Sequence, residues 1–324
     1  MAAVVLMGKR QGHFNREIAA LEFELLEASK EHGFSLDQPL KSQQSWDELP
    51  PVVTRYLLRV FQSSVFQQDG QDAKSPYILP VSIPAVRSLS FHQQGSFRLE
   101  SNWYPFIARQ TISTAPNQPG FVWEAALSFL SHKTTWLTQD IIKVRVCDAL
   151  VRGQAYLNAS LWGILTLAHK QSRLQDPETD ILVLGELLRW LAEAPLYPTV
   201  LLPSEGVVTW KAVENEPNQA VAEMNDPFLG SVASILVSFD PESAWISHIG
   251  CMRPRMLPNG DFESTPWKGS LSNYNLTPEG FWVPTHMECG WILDGTVELY
   301  FKGNNLNLDY IIAPVPTTTQ TADS

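Results

Sequence analysis

Three charged side chains recur at helical spacing in the segment 184–194, and they are the first candidates for chemistry. Glu186, Arg189 and Glu193 lie three and four residues apart, so on a helix they share one side. Two carboxyls held by one guanidinium could polarise or protonate a bound molecule, as general acids and bases do. If water is scarce there, one carboxyl would have a raised pKa and the other a lowered one. The same spacing also suits two ordinary ion pairs on a solvated helix face.

A second group consists of polar side chains inside otherwise apolar, strand-like sequence. Exposure on the wet face of a one-sided sheet is the default for such residues. If several point inward instead, they would orient a ligand between apolar walls. These ligand-binding candidates are Asp148, Arg253, Tyr274 and Glu288.

The 11 Trp residues form a third group of candidates. Several could line a pocket for a flat or isoprenoid-like ligand, although packing in a sheet core is the commoner role of a buried Trp. The residues considered for such a pocket are Trp103, Trp123, Trp210, Trp267, Trp282 and Trp291.

Metal and cofactor chemistry has little support in the sequence. His248 with Cys251, and His286 with Cys289, form two H-x-x-C pairs of residue types that bind zinc. Both pairs lie in strand-like sequence, where residues i and i+3 point to opposite faces, so a zinc site is not predicted. The chain contains no P-loop, no G-x-G-x-x-G after a strand and no G-x-S-x-G nucleophile elbow. We therefore expect no metal and no cofactor.

An amphipathic helix must position the first group of candidates. Pro195 lacks an amide hydrogen and disfavours helical geometry in the residue before it, so the helix is predicted to end near Glu193 or Ala194. The apolar side of this helix, opposite the charged side, consists of Leu184, Leu187, Leu188 and Leu191.

The rest of the chain is predicted to be mainly β. Helical periodicity covers residues 15–32 and a segment that begins near Pro50, and residues 67–76 are typical of an exposed linker. From about residue 81 the apolar period becomes two, and up to a dozen strand-like runs follow. Residues 254–266 are rich in Pro and Gly and are predicted to form a loop.

These patterns predict an α+β, mainly β fold: a large curved antiparallel sheet, or half-barrel, closed by the central helix, with N-terminal helices at its outside or end. The predicted organisation is an N-terminal helical segment at 1–75, a half-barrel domain at 76–313 with its central helix at 184–194, and a flexible tail at 314–324.

Composition restricts the partners. A net charge of −11 argues against nucleic acid and anionic membranes as the main partner. No stretch approaches the roughly 18 apolar residues of a transmembrane segment. The three Cys residues are too few and odd in number for a disulfide framework. We therefore expect a soluble, cytoplasmic protein whose partner is a hydrophobic small molecule.

Several motifs support a resemblance when they are taken together: Trp103–Gln110, Pro119–Glu124, Gly185–Glu193 with Tyr197–Thr199, Pro266–Gly269 with Tyr274, and Pro284 with Trp291. In these motifs the chain resembles a family of uncharacterised proteins, a domain of unknown function, and the resemblance covers about residues 49–312. The resemblance implies a half-barrel like that of the lipoprotein-carrier proteins, in which helices close a curved sheet over an apolar cavity. It implies no settled activity.

Three functions remain open at this point. The favoured hypothesis is cofactor-independent acid–base isomerisation or cyclisation of a hydrophobic molecule in a biosynthetic pathway, with Glu186, Arg189 and Glu193 as catalytic residues. The alternative is a non-catalytic carrier of a lipid or similar apolar ligand. A structural scaffold is the third, and it requires an interior filled by side chains. The orientation of the helix, with its charged side toward a cavity or toward bulk water, separates the first two.

Overall fold

The computed structural model describes residues 2–31, 44–61, 83, 85–129, 143–161, 165–171, 177–257 and 259–313. In this part of the chain the α-helices are α1 (Ala2–Glu31), α2 (Pro51–Val60) and α3 (Pro177–Glu193). Short 3₁₀ helices lie at Trp46–Glu48, Ala194–Leu196, Pro198–Leu201 and Pro203–Glu205. None of the helices described combines the length and apolar character that a bilayer crossing requires.

Thirteen described strands form one sheet. In chain order they are β1 (Val86–Leu99), β2 (Asn102–Ser113), β3 (Gly120–Ser128), β4 (Lys143–Val151), β5 (Gln154–Leu161), β6 (Leu165–Gln171), β7 (Thr209–Ala212), β8 (Gln219–Asn225), β9 (Val232–Phe239), β10 (Ile246–Met256), β11 (Phe262–Leu276), β12 (Trp282–Leu293) and β13 (Thr296–Ile312). Their order across the sheet is β6-β5-β4-β3-β2-β1-β13-β12-β11-β10-β9-β8-β7. Each neighbouring pair is antiparallel, and β1 joins the two halves of the chain through its pairing with β13.

The sheet curves around α3. This helix contacts β3, β4 and β5 near one edge and β9 and β10 near the other. Eight strands separate β5 from β9, so in a flat sheet the two would lie about 43 Å apart at ~4.8 Å per strand. A helix only about 10–12 Å across can touch both only if the sheet wraps around it. The fold is therefore the predicted mainly β half-barrel, open between β6 and β7 in the described residues and closed by a central helix.

Helix α3 is covered on all sides along its C-terminal half. Leu187, Trp190 and Leu191 are fully buried, as apolar residues facing the sheet should be. The helix ends at Glu193, which confirms the predicted stop before Pro195. It begins at Pro177, seven residues before the predicted start. The 3₁₀ helices that follow each carry a Pro in their first turn, which suits a position without an amide donor.

Helix α1 lies against the convex face of the sheet. Its buried residues Phe14, Ile18, Leu21 and Leu25 form a small second core with residues of β3 and β4, including Cys147. It begins at Ala2, before the predicted start at residue 15, and the segment 2–14 contains no Pro that would stop the helix. Helix α2 contributes Val53, Tyr56 and Leu57 to the main core, where it contacts β8 and β12.

The prediction of a loop at residues 254–266 is wrong. β10 continues to Met256 and β11 starts at Phe262, so only a short turn separates them. Pro254 and Pro266 lie within these strands. Each is tolerated because its strand pairs on one side only at that point, where no second ladder needs an amide donor. The linker at 67–76 and the tail at 314–324 fall outside the described residues, and the division at residue 75 stays a prediction.

Candidate functional site

A cavity of about 210 Å³ lies between α3 and the concave face of the sheet. Its walls are mostly apolar and aromatic, and its charged groups come from α3, β4, β10 and β12. The lining side chains include Phe97, Trp123, Val146, Asp148, Leu157, Arg189, Ala192, Glu193, Ile249, Arg253, Trp267, Leu271, Met287, Glu288, Cys289, Tyr300 and Phe301. A cavity of this composition is typical of a site for an apolar small molecule.

The Arg189 guanidinium is held from three directions. Its Nη1 donates to Asp148 Oδ2 at 2.5 Å, its Nε to Glu193 Oε1 at 2.9 Å and its Nη2 to Gln110 Oε1 at 3.2 Å. Gln110 Nε2 in turn donates to Glu193 Oε2 at 2.6 Å. The Arg189 Cζ lies 4.3 Å from the centre of the Phe121 ring, close enough for a cation–π contact. These contacts close a ring of hydrogen bonds that fixes the guanidinium.

Glu186 belongs to a second, looser pair. Its Oε2 lies 3.8 Å from Arg253 Nη2, which is an ion pair without a hydrogen bond. Within the described residues this buried oxygen has no hydrogen-bond partner. Arg253 is itself fixed, because its Nε donates to the Gly185 carbonyl at 3.1 Å and its Cζ lies 5.6 Å from the Trp267 ring.

A second cavity of about 150 Å³ lies on the other side of this pair. Asp148, Leu157 and Arg253 line both cavities, so these side chains mark their common boundary. The remaining lining residues come mainly from α3, β5, β10 and β11: Ala155, Tyr156, Ile181, Leu182, Gly185, Glu186, Pro254, Met256 and Phe262.

The charge cluster formed by Asp148, Glu186, Arg189, Glu193 and Arg253 has three carboxyls and two guanidiniums. Its side chains are only 12–18% exposed. Burial, and then the charge of Asp148, raise the pKa of Glu186 to about 8, which leaves this carboxyl mostly protonated at neutral pH. Burial also raises the pKa of Asp148, although Arg189 opposes the shift. Burial lowers the pKa of Arg189, but the surrounding carboxylates outweigh it and keep this guanidinium charged.

The opposite wall carries neutral hydrogen bonds. Trp123 Nε1 donates to Gln93 Oε1 at 2.9 Å, and Gln93 Nε2 donates to Asn305 Oδ1 at 2.8 Å. Trp267 Nε1 donates to the Tyr300 hydroxyl at 3.0 Å. The polar tips of these large side chains are therefore satisfied by the protein, and their apolar surfaces face the cavity.

The structure brings together part of the residue set singled out by sequence. Arg189 and Glu193 contact each other, whereas Glu186 lies beside Arg253 on the boundary of the second cavity. All three are largely buried, so the solvated helix face considered from the spacing is not what the fold provides. Five of the ligand-binding candidates line a cavity: Trp123, Asp148, Arg253, Trp267 and Glu288.

The other aromatic candidates lie outside both cavities. Trp103 is 39% exposed on the convex side, where Lys302 Nζ lies 5.4 Å from its ring. Trp210 is buried beside the 3₁₀ helices and donates to the Leu201 carbonyl. Tyr274 donates to the Ile246 carbonyl at 2.9 Å, and its ring stacks on Trp245.

The two remaining Trp candidates, Trp291 and Trp282, pack against other aromatic rings. Trp291 stacks on Tyr300, a cavity-lining residue, with 5.9 Å between the ring centres. Trp282 packs near Trp245, away from the cavities. Alternation along a strand identifies which side a Trp occupies, but the shape of the half-barrel decides whether that side is filled or hollow.

Sequence reasoning missed Gln93, Gln110, Tyr300 and Asn305. Gln110 follows Phe106 and Ala108 at a spacing of two, so the alternation of β2 alone would have placed it on the buried face. Gln93 follows Leu89 and Phe91 in the same way. Gln110 bonds to Arg189 and Glu193 of the charge cluster, whereas Gln93 bonds to Trp123 and Asn305.

The H-x-x-C pairs serve other contacts in the structure. The His286 ring lies 2.9 Å from Asn304 Oδ1, and the His248 ring lies 3.0 Å from Ser247 Oγ. Throughout the described ranges no three His, Cys, Asp or Glu side chains form a group that could hold a metal ion.

Comparison with known proteins identifies a family without a known function. The model described as "Family of unknown function (DUF6920)" matches residues 77–310. No curated protein matches the chain.

Two solved structures similar to this chain share little sequence with it. A domain assigned as an outer membrane lipoprotein-sorting protein from Vibrio parahaemolyticus is 10% identical, with 73% of this chain and 86% of that chain covered and a TM-score of 0.34. A DUF1329 family protein from Desulfovibrio piger is 7% identical, with 69% and 86% covered and a TM-score of 0.32. TM-scores this low carry no argument about function.

Proposed function

Because the chain belongs to a family of unknown function (DUF6920), we propose from its own geometry that it binds an apolar small molecule between α3 and the concave sheet and carries it unchanged. The observation behind this proposal is the cavity of about 210 Å³, whose walls are mainly apolar and aromatic. Burial of an apolar ligand against such walls is favourable at roughly 25 cal/mol per Å² of apolar surface removed from water.

The hydrogen bonds of the charge cluster favour a carrier over an enzyme. Arg189 is held by Asp148, Glu193 and Gln110, and Glu193 accepts from both Arg189 and Gln110. Groups that hold one another through this many hydrogen bonds have less capacity left to polarise a substrate. Their evident role is to hold α3 in place across the sheet.

The test is to identify what the protein carries. Native mass spectrometry of protein purified from its own host should show a non-covalent adduct that is lost on unfolding. Val146→Phe, which places a ring in the cavity, should abolish the adduct. The same substitution at Val297, which is 38% exposed at the start of β13, should leave the adduct in place. Adduct-free wild-type protein, or equal retention by both variants, would overturn the proposal.

A second candidate function is acid–base isomerisation or cyclisation of the bound molecule. It is favoured by one observation: Glu186 is a buried carboxyl with an unpartnered oxygen and a pKa raised to about 8, mainly by burial, which is a suitable value for a general acid near neutral pH. Here the molecule bound by wild type would differ in chemical structure from the one bound by Glu186→Gln. If both proteins bind the same molecule, acid–base catalysis by Glu186 is refuted and only the carrier function remains.

A further inference from the structure

The charge cluster has one carboxyl more than its guanidiniums can neutralise. Arg189 lies between Asp148 and Glu193, with hydrogen bonds to both. Arg253 is the nearest cation to Glu186, but at 3.8 Å it makes no hydrogen bond to that carboxyl. An ionised carboxylate buried without a hydrogen-bond donor is costly, so Glu186 must either keep its proton or pair with a cation supplied from outside the cluster.

Glu186 also faces an open volume. It lines the cavity of about 150 Å³, whose other walls include Ile181, Met256 and Phe262. Gly185 beside it adds no side chain to the space. Arg253, which lies 3.8 Å from this carboxyl, lines both this cavity and the larger apolar cavity.

We propose that Glu186 and the second cavity form a site for the cationic head, a protonated amine, of an amphiphilic ligand whose apolar part lies in the cavities. This inference rests on the proposed function, since it names the class of ligand carried. An ammonium beside Glu186 would bring the cluster to three positive and three negative charges, and it would supply the donor that the Glu186 oxygen lacks.

An anionic or neutral head fits less well. The cluster with Glu186 ionised is already one charge negative, which disfavours an anion. The groups facing Glu186 are Asp148 from β4, Arg253 from β10, and Arg189 and Glu193 from its own helix, with Tyr156 of β5 also lining the cavity. Both guanidiniums have polar contacts within the protein, so a carboxylate ligand would have to compete for them.

Three probes of equal chain length separate these cases: n-octylamine, n-octanol and octanoate. Trp123 and Trp267 line the larger cavity, so their fluorescence reports binding, and calorimetry gives the affinities. Octylamine should bind about tenfold or more tightly than octanol, as expected for a charge-assisted hydrogen bond, and octanoate should bind least tightly. Octylamine affinity should rise between pH 6 and 8, because Glu186 must release its proton, whereas octanol affinity should not rise.

Substitutions locate the effect. Glu186→Gln should reduce octylamine affinity to that of octanol, and Glu186→Asp should retain the preference for the amine. Glu214→Gln removes the same charge from an exposed turn outside both cavities and should change nothing. Denaturation curves would establish that each variant is folded.

The outcomes distinguish the two proposals. If octanol and octylamine bind wild type equally well, or if Glu186→Gln keeps the preference, the cation site is refuted and the apolar carrier stands. If octanoate binds most tightly, the cation site is refuted, because the ligand head is then an anion bound by Arg253. If none of the three binds, the proposed function itself fails, and the cation site fails with it.

Discussion

Arg189 shows how a residue at helical spacing acquires its meaning from another element. Its contact with Glu193 follows from the i, i+4 spacing, but its shortest ion pair is with Asp148 on β4. Glu186, three residues earlier, was expected to share Arg189 and instead lies beside Arg253 on β10. The helix therefore supplies one arginine and two acids, and each remaining charge comes from a different strand.

Removing the Arg189 charge should be costly. Arg189→Met would leave Asp148 and Glu193 buried without their main cation, and the unfolding free energy should fall by about 3–5 kcal/mol. Chemical denaturation at pH 7 measures this loss. Arg98→Met breaks an ion pair with Glu298, whose side chain is 46% exposed, and should cost about 1 kcal/mol or less. Equal losses of unfolding free energy for the two variants would show that the buried cluster stabilises the fold no more than an exposed ion pair does.

Glu186 should make stability depend on pH. Its pKa rises from 4.5 to about 8 on folding, mainly through burial, so between these values the folded chain binds more protons than the unfolded chain. The contribution of Glu186 is therefore fully present below about pH 4.5 and is lost as pH rises toward 8. Between pH 5 and pH 8, wild type should lose on the order of 3 kcal/mol more than Glu186→Gln.

Urea denaturation of both proteins across that range is the measurement. Asp148, whose pKa is also raised by burial, is present in both proteins, so the comparison reports the Glu186 carboxyl together with its interaction with Asp148. Parallel curves for wild type and variant would show that Glu186 ionises in the folded state as easily as in the unfolded state.

At the scale of elements, glycines mark where backbones approach each other. Gly95 lies inside β1 directly opposite Gly303 of β13, and a Cβ at Gly95 would collide with the Lys302 carbonyl. Glycine is therefore required here by the close approach of two strand backbones, and it does not mark a turn. Gly185 is different, because a Cβ there would meet only Pro254 at 3.8 Å, an ordinary contact.

The two glycines should respond oppositely to alanine. Gly185→Ala should stabilise the protein by about 0.5–1 kcal/mol, because a helical Gly loses more entropy on folding than Ala. Gly95→Ala should destabilise it by about 1–3 kcal/mol, because the backbone of β13 must move. Thermal and chemical denaturation give both values. A Gly185→Ala variant that is less stable than wild type would show that the helix cannot accept a methyl group beside Pro254.

At the scale of the whole molecule, other elements pack against both faces of the sheet. The concave face encloses α3 and the cavities, and the convex face of β3 and β4 is covered by α1. Cys147, on β4, belongs to the convex side, where it is 3% exposed under Phe14, Ile18 and Leu21. The cavity and the α1 interface are thus separated by one layer of backbone.

Release of α1 should expose Cys147 without emptying the cavity. With Ile18→Asp and Leu21→Asp combined, alkylation of Cys147 by iodoacetamide should accelerate by about tenfold or more, because local opening no longer costs the burial of this helix face. Burial raises the pKa of the Cys147 thiol, which keeps it unreactive while α1 is bound. Peptide mass spectrometry follows the reaction.

Phe23→Asp is the matched control, because Phe23 lies on the same helix and is 65% exposed. It should leave the alkylation rate unchanged. Fast alkylation of Cys147 in wild type would contradict the packing of α1 on β4.

The sequence alone determined the class of fold and the place where the central helix ends. A period of two is imposed by the geometry of a strand and a proline stop by the missing amide, and both act within a few residues. The same local reasoning failed at Pro254 and Pro266, where the number of neighbouring strands decides whether proline is tolerated. It also could not tell a filled interior from a hollow one.

Only the tertiary structure decided which charges meet. Arg253 and Glu186 are 67 positions apart in the chain, and Asp148 and Arg189 are 41 apart. Their distances depend on how far thirteen strands curl, a property of the whole sheet that no window of sequence contains. For the same physical reason, the burial that raises the Glu186 pKa is absent from its local sequence: desolvation comes from neighbours that the fold brings to it.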